Sequence, residues 1–171
     1  MLPGLTAAGL WAQEKAAGPI IPQYGEVFQI PNPGLPTDTG HTFRAIFDVM
    51  KGAEDKSQRN PYIETVARYL NMHAQAGVPA EQLHAVLVVH NLASTDLLAD
   101  EGYRERFGQD NPNSAMLRAL MDAGVEVIFC GQSSYSRNIP IEQTVPGVKL
   151  ALSAMTALIQ YEDQGYRLIK F

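Results

Sequence analysis

The chain has only one cysteine, Cys130, among its 171 residues. A single thiol cannot form a disulfide within the chain, so the fold must be stable without a covalent cross-link. A chain of this length forms one domain and buries a core without needing disulfides or metals. Three interpretations of Cys130 are open at this point: an inert buried residue, a reactive thiol, or one half of an intermolecular disulfide.

Positive charge is scarce as well, because 13 Lys and Arg residues stand against 18 Asp and Glu residues, for a formal net charge of −5. The basic residues are scattered along the sequence, whereas nucleic-acid binding requires them clustered on one face. No apolar run approaches the roughly 20 residues that a membrane-spanning helix needs. The sequence therefore predicts a soluble protein that binds neither nucleic acid nor membrane.

Several common site motifs are absent. The chain has no P-loop, no G-x-G-x-x-G before a helix and no G-x-S-x-G, so neither a nucleotide site nor a hydrolase nucleophile elbow is indicated. His41, His73 and His84 have no second ligand at the spacing of a metal site. We predict no metal and no cofactor.

Proline and glycine are concentrated between residues 14 and 40, where five prolines and four glycines exclude long helices. We interpret residues 1–40 as an extended N-terminal arm and residues 41–171 as the folded domain. Residues 1–13 are similar to the end of an export signal but lack its basic start. Both an exported and a cytoplasmic location of a bacterial type are compatible with this segment.

The rest of the chain alternates strand and helix patterns. Strands are predicted where β-branched and aromatic residues are concentrated, namely at residues 42–49, 83–90, 125–130 and 166–171, with a short strand entry at 145–150. Helices are predicted to start at Asn60 and Asn111, each followed by proline, and a third spans residues 152–164. This order predicts an α/β three-layer sandwich with a mostly parallel, flavodoxin-like sheet.

Two of the predicted strands end at reactive side chains, His90 and Cys130. If the two strands are parallel neighbours, both side chains reach the same edge of the sheet, and an imidazole there can accept the thiol proton. The alternative is that His90 only hydrogen-bonds the backbone at a strand end. Asp48 also ends a strand, and we interpret it as a local cap. The polar loop predicted at 131–138 and its surroundings supply the candidate binding residues: Asn91, Gly131, Gln132, Ser133 and Arg137.

Two segments resemble the DsrE/DsrF-like family: Cys130-Gly131-Gln132-Ser133, and Ala154-Met155-Thr156-Ala157-Leu158. The likeness extends over about residues 42–171, and with its proline-rich leader the chain is similar to the stand-alone members. The resemblance implies a small α/β sandwich that forms trimers or hexamers and passes sulfur between partner proteins as a cysteine persulfide. Cys130 is the position onto which the sulfur-carrying cysteine maps.

The leading hypothesis is therefore a sulfur-handling protein with Cys130 as persulfide acceptor and His90 as proton acceptor. Its partners would be a sulfur donor or acceptor protein and further copies of the chain. The alternative is a non-catalytic oligomeric module that binds a small ligand and keeps Cys130 packed. Whether the protein is an enzyme is open on both hypotheses, because a sulfur carrier is transferase-like at most.

Overall fold

The computed structural model describes residues 14–171, and its centre is a five-stranded parallel sheet. The strands, in chain order, are β1 (Lys15–Ala16), β2 (Val27–Phe28), β3 (Phe43–Val49), β4 (Leu83–Val89), β5 (Glu126–Cys130), β6 (Lys149–Ala151) and β7 (Arg167–Lys170). The order across the sheet is β6-β5-β4-β3-β7, while β1 and β2 pair with each other in a separate antiparallel ribbon. The predicted parallel α/β architecture is confirmed.

Helices cover both faces of the sheet. They are α1 (Pro61–Gln75), α2 (Asp100–Phe107), α3 (Ser114–Asp122), α4 (Gly131–Ser136) and α5 (Ala154–Asp163), with 3-10 segments at Ala80–Gln82, Asn91–Leu97 and Ile141–Gln143. The larger core joins one sheet face to the apolar sides of α1 and α3. A smaller core joins the opposite face to α5 through Ala154 and Ala157, and it includes Cys130.

Part of the N-terminal arm packs against α1 of the same chain. The side chain of Asn71, which is fully buried, donates to the carbonyls of Ile21, Tyr24 and Gly25 and accepts from the amide of Ile21. These bonds satisfy backbone groups that a proline-rich segment cannot pair in a sheet. The proposed export-signal remnant at residues 1–13 lies outside the described residues.

The register of the sheet places the ends of β3, β4 and β5 side by side. Val49 is opposite Val89, and Val89 is opposite Phe129. His90 continues β4 in an extended conformation, and its amide donates to the carbonyl of Val49. Because side chains alternate along a strand, the side chains of His90 and Cys130 project from the same face. The prediction that the strands of these two residues are parallel neighbours is confirmed.

The segment after Cys130 is a short helix rather than the predicted loop. Helix α4 begins at Gly131, with Cys130 as its N-terminal flanking residue in an extended conformation. Small polar residues favour loops because their side chains compete for backbone hydrogen bonds. Here the Ser134 hydroxyl donates to the carbonyl of Ile139, which lies beyond the helix. It therefore does not compete for the hydrogen bonds within α4.

Helix α3 begins two residues later than the Asn111-Pro112 start that the sequence predicts, at Ser114 instead of Pro112. The side-chain oxygen of Asn111 accepts from the amide of Asn113, while its side-chain amide donates to the carbonyls of Asp96 and Leu98. Pro112 and Asn113 form a turn before the helix. The N-terminal flanking position is taken by Asn113. Asn111 therefore connects the segment before α3 to the one before α2, and α3 starts at Ser114.

Candidate functional site

The thiol of Cys130 lies where the N-termini of α4 and α5 meet the end of β5. Burial raises the pKa of this thiol, but hydrogen bonds from the amides of Ser133 and Ala154, the Ser133 hydroxyl and the Gln132 amide outweigh it. The pKa of Cys130 is therefore below its ordinary value. Donors that favour the charged form are what an activated thiolate requires.

Gly131 and Ser153 bring the two helix starts close to the sulfur. A Cβ atom at Gly131 would lie 2.6 Å from the carbonyl oxygen of Ala151 and 3.1 Å from that of Leu152. Only glycine allows the start of α4 to approach β6 so closely. Ser153 caps α5 by accepting a 3.0 Å hydrogen bond from the amide of Thr156, which leaves the first free amide of α5, that of Ala154, for the thiol.

A chain of hydrogen bonds orients the Ser133 hydroxyl. The amide of Asn91 donates to Oγ of Ser133 at 2.9 Å, so the hydroxyl keeps its own hydrogen for the sulfur. Asn91 adopts a left-handed conformation with φ of 52°, and its side-chain oxygen accepts from the Arg137 guanidinium. Hydrogen bonds thus connect Cys130 to Ser133, Ser133 to Asn91, and Asn91 to Arg137. Arg137 therefore contacts Asn91 and not the sulfur itself.

The side chain of His90 contacts the carboxylate of Asp48, which the sequence pattern alone had suggested was a local cap. Its Nε2 lies 2.7 Å from Oδ1 of Asp48, and Nζ of Lys170 lies 3.1 Å from the other carboxylate oxygen. Interpretation of Asp48 as a local cap was wrong, because the side chain is 4 % exposed and bridges three strands. The signal available in the sequence was its position: Asp48, like His90 and Cys130, lies within one residue of the end of a buried strand.

The predicted site residues thus form two adjoining groups. Cys130, Gln132, Ser133, Asn91 and Arg137 belong to one hydrogen-bonded group, with Gly131 providing the close approach. His90 sits beside it in register but directs its Nε2 toward β3 and Asp48. The groups that lower the thiol pKa are the amides and the Ser133 hydroxyl.

A separate groove of about 420 Å³ runs beside α4. It is lined by Ser134, Tyr135, Asn138, Ile139, Pro140, Ile141, Glu142 and Leu150, and none of the predicted site residues is among them. Within residues 14–171, no three His, Cys, Asp or Glu side chains are grouped closely enough to hold a metal ion. Among the helices of that part of the chain, none is both long and apolar enough to cross a membrane.

Comparison with known proteins settles the family. The model of the DsrE/DsrF-like family matches residues 44–171. The chain belongs to the DsrE/DsrF-like family. This confirms the resemblance carried by the Cys130 and Ala154 segments, and the match covers every strand of the main sheet apart from the first residue of β3.

Two solved structures share the fold of this DsrE/DsrF-like chain. One is MTH1491, a protein of unknown function from Methanobacterium thermoautotrophicum, with 15% identity, a TM-score of 0.56, and coverage of 75% of this chain and 99% of that one. The other is the YchN protein from E. coli, with 18% identity, a TM-score of 0.53, and coverage of 75% and 100%. At these identities the likeness describes the fold alone. The curated proteins contain no match.

Proposed function

We propose that the protein accepts and carries sulfur as a persulfide on Cys130. The observation that carries this proposal is the convergence of three backbone amides and one hydroxyl on the thiol, which lowers its pKa. The thiolate attacks the terminal sulfur of a donor persulfide, R–S–SH. A new S–S bond forms at Cys130, the donor S–S bond breaks, and the donor leaves as R–S⁻, so no external oxidant is needed.

His90 supports this step as the proton acceptor. The imidazole takes the thiol proton, directly or through a water molecule, and returns it to the leaving thiolate R–S⁻. Asn91 and Arg137 act on the Ser133 hydroxyl, which stabilises the thiolate of Cys130 before it attacks the donor. The carrier then passes its outer sulfur to the thiol of a partner protein by the same chemistry.

A second candidate function is a ligand-binding module with a packed cysteine. It is favoured by the 5% exposure of Cys130 and by the 420 Å³ groove beside α4. A packed thiol has no use for a lowered pKa, whereas a carrier needs one at neutral pH. The pH dependence of the thiol reactivity therefore distinguishes the two functions, independently of how slowly reagents reach the sulfur.

We expect native Cys130 to react with iodoacetamide with a pH midpoint below about 8.5, the value of a free thiol. Removing the hydroxyl donor in Ser133→Ala should move the midpoint upward, because a group that stabilises the thiolate is lost. If the imidazole accepts the thiol proton, alkylation of Cys130 should be at least about tenfold slower in the His90→Ala variant. Mass spectrometry after incubation with a small persulfide should show added sulfur on the wild type and none on Cys130→Ser.

Ser134→Ala is the matched control for the hydroxyl. This variant removes a serine hydroxyl from the same helix, but one that bonds the Ile139 carbonyl, so the midpoint should stay where it is in the wild type. A thiol that is silent until the protein is denatured, and that gains no sulfur, would contradict the carrier function and favour the binding module.

We also propose that the protein is a homo-oligomer built on trimers. In support, the face of α5 and the neighbouring β6 segment expose large apolar side chains, of which Leu152, Met155 and Ile159 are 72%, 71% and 60% exposed. Light scattering should give three or six times the mass of one chain. Met155→Lys should reduce the measured mass, because it places a charge in the apolar surface through which the chains would contact one another. A wild type that stays monomeric at all concentrations would refute this assembly.

A further inference from the structure

The carboxylate of Asp48 lies between two nitrogen donors at the edge of the sheet. It is 4 % exposed, with His90 Nε2 at 2.7 Å on one oxygen and Lys170 Nζ at 3.1 Å on the other. Asp48 is paired in register with Lys170 on β7 and with Val88 on β4. A buried carboxylate is stable only when its charge is compensated, and here the Lys170 ammonium compensates it.

The contact between Asp48 and His90 restricts the imidazole. An ionised carboxylate is an acceptor only, so the ring nitrogen facing it must carry a hydrogen. In the neutral imidazole a hydrogen on Nε2 leaves Nδ1 as the atom with a free lone pair. The lysine supplies the positive charge that the carboxylate needs, so the neutral ring satisfies Asp48 through this hydrogen bond alone.

We propose that Asp48 is a positioning residue, which fixes the His90 ring in the form that carries its hydrogen on Nε2 and makes Nδ1 the proton acceptor of the Cys130 site. This inference rests on the proposed function, because it assigns the acceptor atom for the thiol proton. The proton moves from Sγ of Cys130 to Nδ1, which leaves a thiolate and an imidazolium whose Nε2–H remains bonded to Asp48. After sulfur transfer the proton passes from Nδ1 to the leaving thiolate, and the neutral ring is restored.

The test combines the ring state of His90 with the reactivity of Cys130. Long-range proton–nitrogen NMR on ¹⁵N-histidine protein, at a pH where the ring is neutral, should show a single His90 form with hydrogen on Nε2. In Asp48→Asn the amide can accept or donate, so both ring forms should appear, and alkylation and persulfidation of Cys130 should slow about tenfold. Asp96→Asn is the matched control, since it makes the same change at another buried carboxylate and should leave both readouts as in the wild type.

Each readout can overturn the inference. A wild-type ring with hydrogen on Nδ1 refutes it without any variant, which covers the case in which Asp48→Asn does not fold. A ring that changes form in Asp48→Asn while the Cys130 rates stay constant refutes the positioning role. If the wild type takes up no sulfur but alkylation still slows in Asp48→Asn, the positioning role stands and the persulfide function fails.

Discussion

Replacing Gly131 by alanine is expected to destabilise the protein by roughly 2 kcal/mol and to reduce the reactivity of Cys130. The added Cβ would lie 2.6 Å from the carbonyl oxygen of Ala151, and that contact is with backbone in the sheet. Overpacking of this kind costs typically about 1–3 kcal/mol. Alanine favours a helix over glycine by up to about 1 kcal/mol, which offsets only part of the clash.

The same clash should act on the thiol. To relieve it, the start of α4 must move away from β6, or β6 and the start of α5 must move outward together. Either displacement alters the distance from Cys130 to the amides of Gln132 and Ala154, which are donors that lower its pKa. Chemical denaturation and the pH midpoint of alkylation should therefore change together in Gly131→Ala, with the midpoint moving upward.

Gly102→Ala is the control for this substitution. Gly102 also lies within a helix, but its added Cβ would first meet a terminal methyl carbon of Leu98 at 3.2 Å, so relief needs a side-chain movement of only a few tenths of an ångström. We expect its stability to remain within about 1 kcal/mol of the wild type. A Gly131→Ala protein as stable as Gly102→Ala, with unchanged Cys130 reactivity, would show that the close approach of α4 to β6 is not needed.

The sequence predicts those parts of the fold that depend only on residues close together in the chain. The apolar run at Val86–Val89 is typical of a strand covered on both faces. Asn60-Pro61 starts α1 where expected because the Asn60 side chain accepts from the amide of Tyr62. The meeting of His90 and Cys130 follows from these strands being neighbours. Local patterns, together with the assumption that the two strands are neighbours, were therefore enough to predict that His90 and Cys130 reach the same edge of the sheet.

The partners within the site depend on pairing over long sequence separations, which local patterns do not encode. Lys170 reaches Asp48 only because β7, the last strand, pairs with β3, the first of the main sheet. Ser133 is oriented by the amide of Asn91, whose left-handed backbone is not implied by any residue near it in the sequence. These contacts set the surroundings of His90 and Cys130, so the roles proposed for the two residues could not be assigned from sequence alone.

A buried network of asparagines also escaped sequence analysis. Both Asn-Pro motifs belong to it: the amide of Asn60 donates to the side chain of Asn113, and Asn113 donates to Asn111. The side chain of Asn60 also donates to Oδ2 of Asp96 at 2.7 Å. The two helix starts predicted separately from sequence are thus connected to each other and to one fully buried carboxyl group.

That carboxyl group should make the stability of the protein depend on pH. Burial raises the pKa of Asp96 to about 6, although the Asn60 side chain, the Lys56 ammonium and the Ala53 amide each favour its charged form. In the unfolded chain an aspartate has a pKa near 3.9. Between these two values the native state binds more protons than the unfolded state, so the free energy of unfolding falls as pH rises from about 4 through 6.

The expected size of this effect is about 3 kcal/mol, since each of the roughly two pKa units corresponds to about 1.4 kcal/mol. Asp96→Asn has the shape of the neutral acid and keeps an acceptor for Asn60, but it cannot ionise. The free energy of unfolding of the wild type minus that of Asp96→Asn, measured by urea denaturation at each pH, should therefore fall by about 2 kcal/mol between pH 4 and pH 7. The rest of the effect is already lost at pH 4, where an unfolded aspartate is about half ionised. Other carboxyl groups titrate equally in both proteins and cancel in the difference. If the two curves of unfolding free energy against pH ran parallel, Asp96 would ionise in the native state as readily as in the unfolded chain, contrary to this prediction.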